Sequence, residues 1–152
     1  MAARKLVSRF NMTIGAGKAT PQPPVGSMLG QRGLKLMDFC KAFNDQTAVY
    51  KDNIPVRARV YSYSDRTFEF NVLHPSTTYF LLKMAGLEKG ASNPGHETVG
   101  KVTNKQIYHI AQLKMKDFES KDHEMSLRGV ARSIVGAARG MGLEVVPDKP
   151  KP

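Results

Sequence analysis

The chain has 152 residues, with 23 lysines and arginines against 13 aspartates and glutamates, which gives a formal net charge of +10. Its single cysteine, Cys40, excludes a disulfide framework and a thiolate zinc cluster. No run approaches the roughly 20 apolar residues of a membrane span, and no apolar signal segment opens the chain. The composition predicts a soluble protein of a reducing compartment with a polyanionic partner.

The positive charge is concentrated in the first part of the chain. Residues 1–86 contain 12 basic and 5 acidic side chains, net +7, whereas residues 87–152 contain 11 and 8, net +3. The first acidic residue is Asp38. A cationic start of this kind is typical of an organelle transit peptide and equally of an arm that binds nucleic acid, so both interpretations stay open.

The first elements are predicted from short-range patterns. Alternation of apolar and polar residues over 10–14 predicts a strand. Pro21, Pro23 and Pro24 predict an extended loop, because proline restricts its own backbone and that of its predecessor. Apolar residues recur with helical spacing over 34–43, which predicts an amphipathic helix that the next two polar residues end.

A hairpin and a helix complete this region. Alternating residues predict strands over 56–60 and 67–72. A helix is predicted to open with Pro75 in its first turn and to stop at Gly86. The sequence therefore predicts an N-terminal α+β domain over residues 10–86, with a short sheet and two helices.

A linker and a helical domain follow. Four glycines and a proline between residues 86 and 100, without periodicity, predict a linker or mobile loop over 87–100. Thr103 and Gln106 have the spacing of a capping box, and an apolar stripe that includes Ile107 and Ile110 follows them. A second helix is predicted over 126–141. A C-terminal helical bundle is therefore predicted over 101–147, closed by a short strand at Val145–Val146.

The last predicted helix divides into three arcs when it is wound at about 100° per residue. The core arc contains Leu127, Val130, Ala131, Ile134, Ala138 and Met141. A second arc contains Arg128, Arg132 and Arg139, and the remaining line contains Gly129, Ser133, Gly136 and Gly140. A glycine inside a helix costs roughly 0.5–1 kcal/mol relative to alanine. The line indicates either close approach of an RNA backbone or tight packing against another helix, and the spacing alone leaves both open.

The patterns that could indicate catalysis or metal binding are incomplete in this sequence. The segment G-A-G-K-A-T at 15–20 lacks the first glycine and the Ser/Thr of a phosphate-binding loop, and prolines follow it instead of a helix. The four histidines are scattered, and Cys40 lies on an apolar stripe. We therefore predict no enzyme, no catalytic residues, no metal site and no cofactor.

Several segments together resemble a known family. They are P-Q-P-P-V-G-S-M-L-G-Q-R-G at 21–33, D-F-C-K-A-F-N at 38–44, D-R-T-F-E-F at 65–70, G-K-V-T at 100–103 and R-S-I-V-G-A-A-R-G-M-G-L at 132–143. In this order they resemble the L-eleven (L11) family of large-subunit ribosomal proteins, from about residue 10 to residue 147. The G-L-E-K-G-A segment at 86–91 and the cationic start resemble the mitochondrial type, with a bacterial or chloroplast ribosome as the alternative location.

The resemblance implies a structural protein of the large ribosomal subunit. Its C-terminal domain would bind a folded rRNA segment of the GTPase-associated centre, and its N-terminal domain would move on a hinge towards translational GTPases and stalk proteins. The implied rRNA-binding residues, together with the neighbouring polar residues, are Lys101, Thr103, Asn104, Lys105, Arg132, Ser133, Gly136, Ala137, Arg139 and Gly140. Pro21, Pro23 and Pro24 correspond to the factor-facing proline loop, and the segment Gly90–Gly100 corresponds to one that orders on RNA.

Three positions depart from the family pattern. Ala137 and Gly140 replace a threonine and a serine, which removes two hydroxyl groups that could bond to RNA, and Ser27 replaces a proline of bacterial members. The rival prediction is a basic helical DNA-binding module with an α+β regulatory domain. Its recognition helix should present base-reading side chains at its N-terminal end, where only Arg128 lies.

Overall fold

The computed structural model describes residues 4–118 and 125–148. Its strands are β1 (Leu6–Gly15), β2 (Pro55–Tyr63), β3 (Phe68–Leu73), β4 (Gly100–Thr103) and β5 (Leu143–Val146). Its helices are α1 (Val25–Gly30), α2 (Leu36–Thr47), α3 (Thr77–Ala85), α4 (Asn104–Phe118) and α5 (Leu127–Gly140). The mixed composition confirms the predicted α+β class. None of the helices in the described ranges is long and apolar enough to cross a membrane.

The first compact unit, which ends at Pro75, is an antiparallel sheet in the order β1-β2-β3. Val60 is paired with Phe10 on one side and with Phe70 on the other, so these residues share the inner face of the sheet. The helices α1 and α2 bury their apolar residues in the same cluster as this inner face. Phe39 and Phe43 of α2 are fully buried there.

Two helices of this unit differ from the sequence prediction. Helix α1 lies in the segment predicted to be an extended loop, because Val25 and Leu29, four residues apart, both enter the core. Helix α2 continues to Thr47 instead of ending after Phe43. The Thr47 hydroxyl donates to the Phe43 carbonyl at 2.8 Å and accepts the Gly17 N–H at 3.1 Å, so this polar residue is satisfied while buried.

The second compact unit begins at Ser76. Its core joins all three helices through residues such as Leu81, Ile110 and Ile134. Two short parallel strands accompany the helices, with Val102 of β4 paired to Val145 of β5. The predicted closing strand is therefore present. Its partner β4 was not predicted, because four residues carry too little periodicity to indicate a strand.

The boundary between the units differs from the predicted one at residue 86. Helix α3 begins after Ser76, whose hydroxyl accepts the Tyr79 N–H at 3.2 Å, and Gly86 ends the helix with φ +68, as predicted. Leu81 is fully buried with the residues of α4 and α5. Helix α3 therefore belongs to the second unit by its packing.

The segment predicted as a linker is attached to the second unit by backbone hydrogen bonds. The Ala91 N–H donates to the Met141 carbonyl at 2.9 Å, and the Val99 N–H donates to the Gly142 carbonyl at 2.9 Å. A side chain at Gly142 would also collide with Ala91, at 2.4 Å from its Cβ, and φ there is +75. The segment therefore packs against the turn that follows α5.

Candidate RNA interface

Helix α5 is oriented by a cap and by one buried face. The Ser126 hydroxyl accepts the Gly129 N–H at 3.2 Å at the start of the helix. Val130, Ile134 and Ala138 are at most 3% exposed, which confirms the predicted core arc. Because these three residues occupy one side of the helix, the opposite side must face outward.

The line of small residues lies on that outward side. Ser133, Gly136 and Gly140 are exposed, and Gly129 is half-buried. Among the described residues, nothing beyond the helix's own nearby backbone comes within 4 Å of a Cβ built at Gly136 or Gly140. At Gly129 the Ser126 hydroxyl lies 3.3 Å from such an atom. Packing inside the domain therefore gives no reason for a glycine at positions 136 and 140.

Arginines flank the small-residue line. Arg128, Arg132 and Arg139 are exposed, and none of them forms an ion pair with another described residue. Arg139 also lines an open cavity of about 300 Å³ together with Glu97 and Glu144. The positive charge of this surface is therefore flanked by carboxylates at one end of the helix.

The start of α4 contains the other predicted binding residues. The capping box is present, since the Thr103 N–H donates to Gln106 Oε1 at 2.9 Å and the Gln106 N–H donates to the Thr103 hydroxyl at 3.3 Å. Asn104 and Lys105 are exposed at this end. Lys101 forms an exposed ion pair with Glu144 at 3.0 Å, which sequence reasoning missed because the pairing of β4 with β5 brings the two residues together.

The second unit thus contains all ten residues predicted to bind rRNA. The segments that contain them are linked through the small sheet, because β4 leads directly into α4 and its partner β5 follows α5. Ala137, the one half-buried member on α5, borders the small-residue line. Sequence reasoning did not identify Glu97, whose carboxylate accepts the Ser92 and Asn93 N–H groups at 2.7 and 3.0 Å and folds the preceding loop.

The proline loop lies in the first unit. Pro21, Pro23 and Pro24 are all exposed, and Pro24 is the residue that precedes α1. The pair Pro23–Pro24 is joined by a cis peptide bond. The loop therefore presents three ring surfaces on the unit that does not contain α5.

Cys40 has the buried position that its apolar stripe predicted. It is 5% exposed within the first core, and burial raises the pKa of its thiol. A buried thiol with a raised pKa is a poor nucleophile, so its environment is that of a core residue.

The exposed line of small residues and the arginines beside it would allow an RNA backbone to approach α5 closely, as in an RNA-binding protein. Two family models match the chain. The model "Ribosomal protein L11, N-terminal domain" matches residues 10–68, and "Ribosomal protein L11, RNA binding domain" matches residues 73–145. The second match begins just before α3, in agreement with the division of the compact units.

Bacterial relatives match over nearly the whole chain. The "Large ribosomal subunit protein uL11" of Ruegeria pomeroyi is 43% identical over 143 residues, which cover 94% of this chain and 99% of the relative. The protein of the same name from Bartonella henselae is 42% identical over 144 residues, covering 95% and 99%. The chain belongs to the ribosomal protein L11 family, whose members are structural components and not enzymes. The rival prediction of a DNA-binding module receives no support.

Proposed function

We propose that this protein is a structural constituent of the large ribosomal subunit whose second unit binds a folded rRNA segment of the GTPase-associated centre. One observation supports the binding surface above all others: Gly136 and Gly140 are exposed with open space where a Cβ would lie. Each glycine destabilises the helix by roughly 0.5–1 kcal/mol, and contacts inside the described structure do not offset this loss. Close approach of a partner explains their presence.

The chemistry of the surface favours recognition of RNA shape. The shallow minor groove of folded RNA presents sugars and 2′-hydroxyl groups, which a helix without Cβ atoms can approach closely. Ser133 and the backbone of the helix supply hydrogen-bonding groups, and Arg132 supplies a phosphate contact at the edge. The net charge of only +3 over residues 87–152 fits a surface that binds mainly by shape.

The polar start of α4 would extend this surface. Asn104 and Lys105 are exposed there, and the Thr103 hydroxyl can still donate a hydrogen bond while it accepts the Gln106 N–H. Lys101 is paired with Glu144, so its contribution to RNA binding requires that this exposed pair open. An exposed pair contributes about 0–1 kcal/mol, and opening it is therefore inexpensive.

The first unit would present the proline loop to translational GTPases and to neighbouring stalk proteins. The exposure of Pro21, Pro23 and Pro24 supports this role, because rigid exposed rings form a contact surface without a large loss of conformational entropy. GTP hydrolysis would belong entirely to the bound factor.

The location we propose is a mitochondrial ribosome, with the bacterial ribosome as the alternative. The resemblance of the G-L-E-K-G-A segment at 86–91 to the mitochondrial type supports the first. The relatives described above are bacterial and match 94% or more of this chain, which supports the second. A fluorescent fusion of the full chain, imaged in a eukaryotic cell, distinguishes the two by its presence in or absence from mitochondria.

The substitution Gly136→Leu tests the binding surface. We expect the affinity of the full chain for the folded rRNA segment to fall at least about 30-fold, the loss typical of a change at the centre of an interface. The helical circular dichroism should not change, because the new side chain meets open space. Filter binding with the folded segment and with an unstructured RNA of equal length measures the effect.

The matched control is Gln112→Leu, which places a leucine on the exposed side of α4. This control should retain the affinity of the natural chain. Equal loss for both variants, or unchanged binding by Gly136→Leu, would refute the proposed surface.

A further inference from the structure

The outer face of the three-stranded sheet in the first unit has an unusual composition. Alternation along the strands divides the sheet into an inner face, which α1 and α2 cover, and an outer face that lies outside their core cluster. We define the outer sheet face by six residues: Arg9, Arg57, Arg59, Tyr61, Tyr63 and Glu69. Its three cations are all arginines, and no lysine lies among these strand positions.

Strand register brings these side chains side by side. Tyr61 on the central strand is directly opposite Arg9 on β1 and Glu69 on β3, and Arg59 is opposite Asn11. Side chains directly opposite each other in an antiparallel pair have Cβ atoms about 4.5–5.5 Å apart. A tyrosine ring is therefore flanked by guanidinium groups within reach of one ligand segment.

Two of these arginines, Arg9 and Arg59, are available to a partner. Arg9 is exposed, and within the described ranges neither Arg9 nor Arg59 forms an ion pair. The contact of Arg59 is a hydrogen bond from its Nε to Asn11 Oδ1 at 3.4 Å. This weak bond uses only Nε. The two terminal nitrogens of the guanidinium can therefore donate two parallel hydrogen bonds to a phosphate.

The carboxylate on the face does not neutralise these arginines directly. Glu69 accepts a hydrogen bond from the Tyr63 hydroxyl at 3.0 Å. This hydrogen bond is the main cause that raises the pKa of Tyr63 above its ordinary value. The outer sheet face thus combines two arginines without an ion pair, Arg9 and Arg59, with the aromatic rings of Tyr61 and Tyr63.

We infer that the outer sheet face binds a single-stranded RNA segment, with phosphates at Arg9 and Arg59 and a base stacked on Tyr61. Proteins that bind single strands combine cationic groups along the backbone with aromatic platforms for the bases. An acidic protein segment would pair with the arginines but would gain no binding energy from stacking on the ring of Tyr61 between them. This surface is separate from the α5 surface, so the inference does not depend on the proposed function.

The test measures binding of a fluorescent 12-nucleotide single-stranded RNA of mixed sequence to the full chain by anisotropy, over a series of salt concentrations. The double variant R9Q/R59Q should lower the slope of log affinity against log salt by about 1.4, since each phosphate contact to a single strand contributes about 0.7. Tyr61→Leu should weaken binding roughly tenfold, and Tyr61→Phe should retain it.

A matched control removes the same charge elsewhere in the unit. Lys41 and Lys51 are exposed cations outside the sheet, and K41Q/K51Q should leave the slope nearly unchanged. Arg9→Gln alone, on the edge strand, should lower the slope by about 0.7 and serves where the double variant fails to fold. Equal loss in the lysine control would overturn the inference, because it would show binding by diffuse charge.

Two further arms separate the alternatives. Gly136→Leu should keep the single-stranded binding, and loss of that binding in this variant would assign the RNA to α5 and overturn the inference while leaving the proposed function intact. A poly-glutamate peptide of equal charge should compete weakly. If the peptide competed at a concentration equal to or lower than that required of unlabelled RNA, the outer sheet face would be assigned to an acidic protein, which would overturn the inference.

Discussion

The two proposed RNA surfaces use opposite chemistry. On α5 the outward line is made of glycines and a serine, so the main chain itself is presented, whereas the outer sheet face presents long arginine and tyrosine side chains. A bare helix selects a partner by shape, because only a complementary surface can approach it. A set of arginines with aromatic rings accepts many single strands. The comparison shows that net charge is a poor guide to which unit holds the more specific surface.

The largest expected effect tests whether each surface depends on the core of its own unit. Phe39 is fully buried and its ring packs against Phe43, Phe68 and Phe70. Phe39→Ala should destabilise the first unit by about 3–5 kcal/mol, through lost burial and the cavity left behind. Urea unfolding followed by circular dichroism measures this loss.

Binding distinguishes the two surfaces in the same variant. In dilute urea that unfolds the first unit of Phe39→Ala, affinity for the single-stranded RNA should disappear while affinity for the folded rRNA segment persists. Parallel loss of both affinities would show that the α5 surface depends on the first unit. It would contradict the claim that each surface depends only on the core of its own unit.

The next effect concerns salt. Gly136→Leu should lower affinity for folded rRNA at least about 30-fold without changing the slope of log affinity against log salt, because it removes no charge. In R9Q/R59Q, by contrast, the slope for single-stranded RNA should change. Titrations from 50 to 200 mM KCl measure both slopes, and a changed slope in Gly136→Leu would contradict a shape-based α5 surface.

A smaller effect concerns how the α5 surface is oriented. Ser126→Ala removes the side-chain acceptor at the start of α5 and should destabilise the second unit by about 1 kcal/mol. Ser133→Ala on the exposed side of the same helix is the control, and alanine's higher helix propensity should raise stability slightly there. Chemical unfolding detects the difference, and equal stability of the two variants would show that the cap contributes nothing.

The smallest effect has opposite signs in two measurements. Gly136→Ala should raise the free energy of unfolding by about 0.5–1 kcal/mol, because the methyl group meets open space and restricts the unfolded chain. The same change should weaken binding of folded rRNA. At Gly129 the Ser126 hydroxyl is closer, so Gly129→Ala should stabilise less. If Gly136→Ala neither gained stability nor lost affinity for folded rRNA, the glycine would have no role in binding.

Periodic patterns predicted much of the fold. The inward arc of α5, the capping box at Thr103 and the end of α3 at Gly86 are all confirmed, because each depends on residues within a few positions of one another. Helix α1 was missed because prolines and glycines surround its two core residues. The position of α3 in the second unit was missed because it depends on which distant residues cover Leu81.

The candidate surfaces, like the fold, were predicted in part from local spacing and in part required the tertiary structure. Local spacing was sufficient to place Gly136 and Gly140 on one side of a helix, and the resemblance to a family indicated RNA. Whether that side was open or packed required the tertiary structure, since helical periodicity does not reveal what lies beyond the helix. The outer sheet face and the pair of Lys101 with Glu144 likewise arise from strand register, in which residues far apart in the chain become neighbours. Sequence alone thus determined which side chains share a face, and only the tertiary structure decided what each face meets, because packing brings together residues that no local pattern connects.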